Sequence, residues 1–336
     1  MTRHLMAAVA VAALLTPAVA AAQPAPAAAA RAALGAPADC PSGASEVATA
    51  NPPPPGPAFT PPPPGAPRPM RADPYEGKIK VLFIGDTLTG NQVAHDSVYH
   101  AMASLERAGR DRDIAVFIRT DYNNITLGPV FGTCDYGQGG AKQSAGRNLD
   151  FFDVVVFYTN GETRLGDDQK RDMMAWLRAG HGFVGIHTAT ATGVYWPEYG
   201  RMIGGYFDNH PWGVTDGAII VERPDFPGMA GFIANPTIRD EFYVMLGEPY
   251  SREDTDVLAR LDASKLDLTI PQLHRTDGDF PVAWIRNEGE GRVFYSDLGH
   301  PDSAWDDPRV VDMYLEAITW AAGRTDYPVR PHPLEP

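Results

Sequence analysis

The feature that most constrains the fold is a short, largely apolar run at residues 79–84, which Gly85 closes. A run of this length and composition is typical of a strand buried on both faces of a parallel sheet. Strand and helix patterns then alternate, the strands at 114–119, 154–158 and 182–186 and the helices at 97–108 and 167–179. This alternation predicts right-handed βαβ units, and therefore an α/β fold whose mostly parallel sheet is covered by helices on both faces.

The second half of the chain is richer in strand patterns. These lie at 218–222, 241–245, 257–261, 281–286 and 292–298, before a last helix pattern at 308–322. We expect the added strands either to extend the sheet or to form a lobe beside it. Residues 77–325 are therefore predicted to form one domain, with residues 326–336 as a C-terminal tail.

The first 22 residues have the features of a secretory signal peptide. A short basic start precedes an apolar run from Leu5 to Ala18, and small residues suited to cleavage follow it. The run is too short to cross a bilayer and is broken by Pro17, so we expect a periplasmic or secreted protein without membrane insertion. Residues 23–76 are rich in Pro and Ala, which predicts a tether without a fixed fold.

Charge and cysteine content limit the partners. The chain has 28 Lys and Arg against 42 Asp and Glu, a net charge of −14, and no basic stripe. Nucleic acid is therefore not an expected partner, because phosphate binding needs clustered cations. No nucleotide cofactor is expected either, and the sequence defines no oligomeric state. Cys40 and Cys134 would meet an oxidising compartment after export, so a disulfide between them and two unpaired thiols both remain open.

Four histidines follow predicted strands or open a loop beside them: His95, His187, His210 and His300. In an open α/β sheet, ligands bind outside the carboxyl ends of the strands, so these side chains could converge although they are far apart in sequence. A single histidine in such a place is more often a cap or a core residue, but four strengthen the case for a site. Histidine is the commonest metal ligand and the usual acid or base near neutral pH.

Several segments together resemble the ThuA-like (trehalose-utilisation) family of the class I glutamine amidotransferase-like superfamily. The early one is His95-Asp96-Ser97 and the central one runs from Gly182 through His187 to His210-Pro211. The later ones are Asp240-Glu241-Phe242-Tyr243, Pro281-Val282-Ala283-Trp284 and Gly291 to His300. They occur in the family's order from about Lys78 to Arg324, so the resemblance implies a flavodoxin-like, class I amidotransferase-like sheet with extra strands in the second half.

The resemblance places His187 at the strand-to-helix turn where amidotransferases carry a nucleophilic cysteine. An imidazole in Gly185-Ile186-His187-Thr188-Ala189 cannot do thiolate chemistry, so glutamine hydrolysis is not expected. The family is associated with glycosides oxidised to the 3-keto form. The resemblance therefore implies a carbohydrate-active enzyme, a metal-assisted lyase or hydrolase whose small-molecule substrate is a 3-keto-glycoside or a related sugar derivative.

Roles can be assigned to the candidate residues on this basis. His187, His210 and His300 are the expected ligands of a divalent metal ion such as zinc, with His95 as a fourth ligand or as the base. The expected catalytic residues are His95, His187 and Glu241. The expected substrate-binding residues are Asp240, Tyr243, Tyr206 and Trp212, of which Asp240 could instead support the ligands. The alternatives are a non-catalytic sugar-binding or accessory protein and a metal-dependent hydrolase of another small substrate.

The tether gives the first testable prediction. Limited proteolysis of the mature protein should remove residues 23–76 and leave a stable fragment that begins near Lys78, because this segment has almost no large apolar side chains to bury. Mass spectrometry of the fragment identifies its first residue. An arm that resists cleavage would contradict the prediction and would favour a bond between Cys40 and Cys134.

Overall fold

The computed structural model describes residues 73–85, 95–128, 130–134 and 143–334. Apart from Cys134, these residues belong to one compact unit. The predicted signal peptide, the predicted tether and Cys40 lie outside the described residues, so these predictions stay predictions. Within the part that the structure describes, no helix is long and apolar enough to cross a membrane.

A nine-stranded sheet forms the centre of the fold, in the order β2-β1-β5-β6-β13-β12-β11-β8-β9. The strands of this sheet are β1 Ile79–Ile84, β2 Ile114–Arg119, β5 Val154–Phe157, β6 Gly182–Ile186, β8 Val214–Val221, β9 Thr237–Glu241, β11 Asp256–Leu261, β12 Pro281–Glu288 and β13 Gly291–Ser296. Two small sheets pair β3 Val130–Cys134 with β4 Gln143–Gly146, and β7 Phe207–Asn209 with β10 Val244–Met245.

The strands β2, β1, β5, β6 and β13 pair in parallel, and the remaining strands of the sheet pair antiparallel. Most strands of the second half therefore extend the sheet, whereas β10 pairs with β7 in a small separate sheet. Because β13 returns to lie parallel against β6, the carboxyl ends of β6 and β13 come to the same edge of the sheet. This return brings together residues that are more than a hundred positions apart in sequence.

Helices cover the sheet on both faces, as predicted. The helices are α1 Ser97–Gly109, α2 Asp167–Arg178, α3 Pro197–Ile203, α4 Ala230–Ala234 and α5 Pro308–Ala321. Two buried apolar clusters lie on opposite faces of the sheet. Helices α1 and α5 contribute to one cluster, and α2 and α3 contribute to the other. Strand β1 feeds both clusters, with Val81 and Phe83 on one side and Leu82 and Ile84 on the other, because successive side chains of a strand alternate between faces.

The predicted strands and helices are all present, with ends shifted by a few residues, but one predicted strand is divided. Residues 241–245 are not continuous, because β9 ends at Glu241 and β10 begins at Val244. At the break, Phe242 packs into the core beside Gly217, whose missing side chain leaves the space for its ring. Tyr243 then turns toward His187.

The predicted tail is packed against the sheet rather than extended from it. Trp320 donates its indole N–H to the Tyr327 carbonyl at 2.8 Å, and the Arg330 backbone N–H donates to Asp256 at 2.8 Å. His332 contacts the Val257 carbonyl at 3.2 Å. The packed part of the chain therefore continues past residue 325.

Two glycines provide a test of the packing between β13 and α2. A methyl group added at Gly291 would lie 2.1 Å from the Leu177 carbonyl oxygen, whereas one added at Gly247 would meet nothing within 4 Å. Gly291→Ala should therefore lower the free energy of unfolding by about 1 to 3 kcal/mol, and Gly247→Ala should change it by less than about 0.5 kcal/mol. Urea unfolding followed by circular dichroism measures both, and equal midpoints for the two variants would contradict the described packing.

A candidate metal site of three histidines and a glutamate

The candidate site lies at the carboxyl edge of the sheet, as the rule for open α/β sheets predicts. His187 follows β6 directly, and His300 follows β13 after a short loop. His95 precedes α1, and Glu241 is the last residue of β9. The topology of the sheet, rather than closeness in sequence, brings these four residues together.

His187 has an unusual backbone conformation, with φ of 46°. Among the described residues other than glycine, only Asp113 also has a positive φ. A left-handed conformation is strained for a residue with a side chain and is often found at functional turns. Two contacts hold the turn: Tyr295 donates its hydroxyl to the His187 carbonyl at 2.8 Å, and the His187 ring bonds to the Asp297 carbonyl.

The bond to Asp297 fixes the tautomer of the His187 ring. The ring is fully buried, and its Nδ1 lies 2.6 Å from the Asp297 carbonyl oxygen, which can only accept a hydrogen bond. Nδ1 must therefore carry the proton, which leaves the lone pair of the neutral ring on Nε2. Histidines that bind metals are oriented by the same kind of bond.

Three atoms, one of which is the His187 Nε2, are spaced as the ligands of one ion would be. Nε2 lies 3.2 Å from His300 Nδ1 and 3.6 Å from Glu241 Oε2, and the latter two atoms are 3.1 Å apart. Ligand atoms about 2.1 Å from a tetrahedral zinc ion are separated by roughly 3.4 Å. With His95, these residues form a group whose ligand atoms all lie within 4.8 Å of one another.

His95 adds an independent sign that the group fits a cation. Its Nδ1 is buried and has no hydrogen-bond partner among the described residues. Its ring lies 4.9 Å from the His187 ring and 4.7 Å from the His300 ring, measured between centroids. A buried nitrogen without a partner is costly unless something else binds it. Three imidazoles and a carboxylate are ligands that zinc and similar divalent ions accept.

The charge states of the group also suit a cation. Burial, and then electrostatic interaction with the rings of His187 and His300, lowers the pKa of His95 to about 4. Burial lowers the pKa of His187 as well. Burial alone would raise the pKa of Glu241, but its contacts with the imidazoles of His187 and His300 outweigh burial and hold the pKa well below its usual range. Near neutral pH, the rings of His95 and His187 are therefore neutral and the carboxylate is charged, as metal ligands must be. The hydrogen bond to Glu241 raises the pKa of His300, so an ion would have to displace the proton of that ring.

Asp240 supports this group from behind. Its fully buried carboxylate accepts backbone N–H bonds from Glu241 at 2.9 Å, Gly299 at 2.8 Å and His300 at 3.0 Å. Burial raises the pKa of Asp240 to about 7 against the opposing effect of these bonds. The carboxylate of Asp240 thus joins the end of β9 to the loop that carries His300, and its predicted contact with substrate stays a prediction.

A cavity of about 550 Å³ opens on the group. Its lining residues are His95, Asn160, Gly161, Glu162, Thr188, Ala191, Val194, Tyr195, Phe207, His210, Glu241, Tyr243 and His300. The volume is within the range of about 300 to 1,000 Å³ that is typical of small-molecule sites. The cavity therefore has room for a small ligand in contact with three members of the group.

His210 lies in the cavity wall and outside the ligand group. Its half-exposed ring approaches Glu241 from the other side, with Nδ1 3.4 Å from Oε1, whereas Oε2 faces His187 and His300. The structure thus brings His95 and Glu241 together with His187 and His300, and leaves His210 available for another role.

The predicted aromatic residues Tyr243, Tyr206 and Trp212 differ in whether they line the cavity. Tyr243 lines the cavity, and its hydroxyl lies 2.8 Å from His187 Nε2. Tyr206 instead donates its hydroxyl to the carbonyls of Gly193 and Trp196, at 3.0 and 2.8 Å. Tyr206 is not among the described residues that line the cavity, and its predicted contact with substrate stays a prediction.

The predicted contact of Trp212 with substrate likewise stays a prediction. Its indole N–H donates to the Asp267 carbonyl at 3.0 Å, its ring packs edge-on against Phe280, and it is not one of the described lining residues. Glu162 and Tyr195 line the cavity and were not predicted from the sequence. The rule that identified the histidines also applies to Glu162, which follows the carboxyl end of β5.

Comparison with known proteins gives one family. A family model described as ThuA, trehalose utilisation, matches residues 80–321. Among solved structures, the chain is similar to a ThuA-like protein from Bacteroides uniformis, with 19% identity, a TM-score of 0.56 and coverage of 76% of this chain and 95% of that one. It is also similar to a ThuA-like protein from Parabacteroides merdae, with 18% identity, a TM-score of 0.53 and coverage of 75% and 93%. At such low identity these likenesses show a shared fold. A search of curated proteins found no match.

The geometry of the group predicts a metal-binding phenotype. The purified protein should bind one zinc ion, and His300→Ala should weaken binding by at least about 100-fold, because it removes one of the closely spaced ligand atoms. His274→Ala is the matched control, since this exposed histidine pairs with Asp208 outside the group. Calorimetric titration measures both affinities. Equal affinity in the His300→Ala and His274→Ala variants would contradict the site.

Proposed function

The chain belongs to the ThuA (trehalose-utilisation) family, and from this premise we propose that it is an exported, metal-assisted lyase or hydrolase of 3-keto-glycosides. The observation that carries the proposal is the group of three histidines and a glutamate in the wall of a cavity large enough for a sugar. Export is proposed from the signal-peptide features of residues 1–22.

The proposed reaction begins at the carbon next to the ketone. A ketone at C3 of the sugar acidifies the proton on C2, so a base can remove it. The electron pair of the C2–H bond then forms the C1–C2 double bond, the C1–O bond to the leaving alcohol breaks, and that oxygen takes up a proton. Addition of water across the double bond would complete a net hydrolysis. A divalent cation held by His95, His187, Glu241 and His300 would polarise the C3 ketone.

His210 is the proposed base. Its ring is half exposed in the cavity wall, so a substrate can reach it, and it is not needed as a member of the ligand group. Glu241 lies beside it, and a negative carboxylate compensates the charge that an imidazole gains when it accepts a proton. The two oxygens of Glu241 would thus serve different partners, Oε2 the ligand group and Oε1 the base.

Tyr243 would bind substrate beside the ion. Burial raises the pKa of its hydroxyl well above the ordinary value, so the hydroxyl stays protonated and can donate to His187 Nε2 while no ion is bound. An ion at Nε2 would take over that lone pair, and the hydroxyl could then donate to a ligand in the cavity that Tyr243 lines. The bond from His187 Nδ1 to Asp297 would hold the ring in both states. Preorganised groups of this kind are what catalysis requires of a site.

Glutamine amidotransfer is not part of the proposal. The residue at the turn after β6 is an imidazole in the left-handed conformation, and no thiol stands there. The backbone therefore keeps the sharp turn that presents a nucleophile in hydrolases of related geometry, while the side chain offers a nitrogen lone pair instead. The same turn would serve ligand presentation.

One observation favours a second candidate, a sugar-binding protein without turnover. The bonds from Tyr243 to His187 and from His300 to Glu241 can satisfy these polar atoms as a hydrogen-bond network that needs no cation. In that case the cavity would bind a sugar and leave it unchanged. Metal content and turnover distinguish the two functions.

The test of the proposal uses 4-nitrophenyl 3-keto-glucoside and the zinc-loaded protein. We expect release of nitrophenol, and a loss of about 100-fold or more in kcat for His210→Ala, because general bases contribute about that much. Zinc content should be unchanged in this variant, and His274→Ala should retain full activity. Binding of the sugar with no release of nitrophenol by the zinc-loaded protein would contradict the enzyme and favour the sugar-binding protein.

A further inference from the structure

The cavity has a second part of its wall that the proposed chemistry does not use. It is formed by residues 160–162, which follow β5, and by residues 191–195, which follow β6. Backbone bonds hold the two segments together, from Gly161 N–H to the Ala191 carbonyl and from Gly193 N–H to the Gly161 carbonyl, each at 3.0 Å. Glu162 adds a third link, since its carboxylate accepts the backbone N–H of Tyr195 at 3.0 Å. These three bonds fix the backbone positions from which the side chains of this wall project.

Tyr195 exposes an aromatic ring at this wall. The side chain is 85% exposed, and the neighbouring Val194 is 47% exposed, although both residues line the cavity. Single exposed apolar residues are ordinary on protein surfaces, but adjacent ones beside a cavity with polar groups are typical of a binding site. The face of a pyranose ring that carries axial C–H bonds is apolar, and a tyrosine ring matches it in size and shape.

The charge of the wall formed by Glu162 and Tyr195 restricts which sugar can bind against it. The described lining residues include the carboxylates of Glu162 and Glu241 and three histidines, and contain neither lysine nor arginine. Phosphate and carboxylate groups of ligands are usually bound by those two cations, often in bidentate pairs. Glu162 uses one oxygen for the Tyr195 N–H, and a carboxylate has further acceptor positions that suit the hydroxyl groups of a sugar.

We propose that Tyr195 and Glu162 form the sugar-recognition wall of this cavity, and that they select neutral pyranosides over anionic ones such as uronosides and sugar phosphates. Tyr195 stacks on the apolar face of the ring, and Glu162 accepts hydrogen bonds from hydroxyl groups and repels a negative charge at the same place. The inference deepens the proposed function and rests on it for the identity of the substrate as a sugar.

The test compares two probes that differ in one charge, methyl β-glucopyranoside and methyl β-glucopyranosiduronate. Ligand-observed NMR titration of the protein as purified measures both affinities. The wild-type protein should bind the neutral probe at least about tenfold more tightly than the anionic one, since a single desolvated like-charge contact is worth about that factor. Glu162→Gln keeps an acceptor for the Tyr195 N–H and removes the charge, so it should bring the ratio of the two affinities close to one.

Variants of Tyr195 provide a second set of affinity measurements. Tyr195→Ala should weaken binding of the neutral probe by about tenfold, and Tyr195→Phe should leave it unchanged, because stacking needs the ring and not the hydroxyl. Tyr99→Ala is the matched control, as Tyr99 is a 57% exposed tyrosine that is not one of the described lining residues. Thermal unfolding of each variant verifies that the fold is intact.

Three results would overturn the inference: no binding of the neutral probe by the wild-type protein, a Tyr195→Ala affinity within about twofold of the control, or a probe ratio that Glu162→Gln does not change. Neither probe carries a ketone, so the outcome does not depend on turnover. Recognition by Tyr195 and Glu162 without turnover of 3-keto-glycosides would refute the proposed reaction alone. Turnover with binding that is insensitive to these residues would refute the recognition wall alone.

Discussion

The hydrogen bond from the buried His187 ring to the Asp297 carbonyl is the interaction on which the site depends. It decides which nitrogen carries the proton, and so which nitrogen faces His300, Glu241 and Tyr243. A carbonyl acceptor is available there only because β13 lies parallel to β6 and continues into the loop that contains Asp297. The long return of the chain to the middle of the sheet is therefore a requirement of the site as well as of the fold.

Buried carboxylates behind the group hold this arrangement in place. Asp240 accepts hydrogen bonds from three backbone N–H groups of β9 and of the loop that carries His300. Asp297 accepts one from the Tyr243 N–H at 3.1 Å. Burying carboxylates in this way is costly, and burial raises the pKa of both of them. Such a cost is expected where the position of a few side chains matters more than stability, as at a binding or catalytic centre.

Much of the fold followed from the sequence, because local patterns report burial. The run at 79–84 and the later strands and helices were predicted from periodicity and glycine stops, and the structure confirms them. The gathering of histidines at the carboxyl edge followed from a rule about sheets. The sequence did not predict that His95 would lie in the ligand group and His210 outside it. This difference depends on how loops direct the two rings around Glu241. The positions of Tyr206 and Trp212 were missed for the same reason: an aromatic residue beside a site has no local signal for the direction of its ring.

The central claim is that His95, His187, Glu241 and His300 bind one divalent ion at the edge of the sheet. X-ray absorption spectroscopy of the zinc-loaded protein tests it most directly, because it reports the ligand atoms and their distances without reference to activity. We expect imidazole scattering with nitrogen and oxygen ligands at about 2.0 to 2.2 Å from zinc, and loss of this spectrum in His187→Ala. A zinc spectrum without imidazole scattering, or one that is unchanged in His187→Ala, would contradict it.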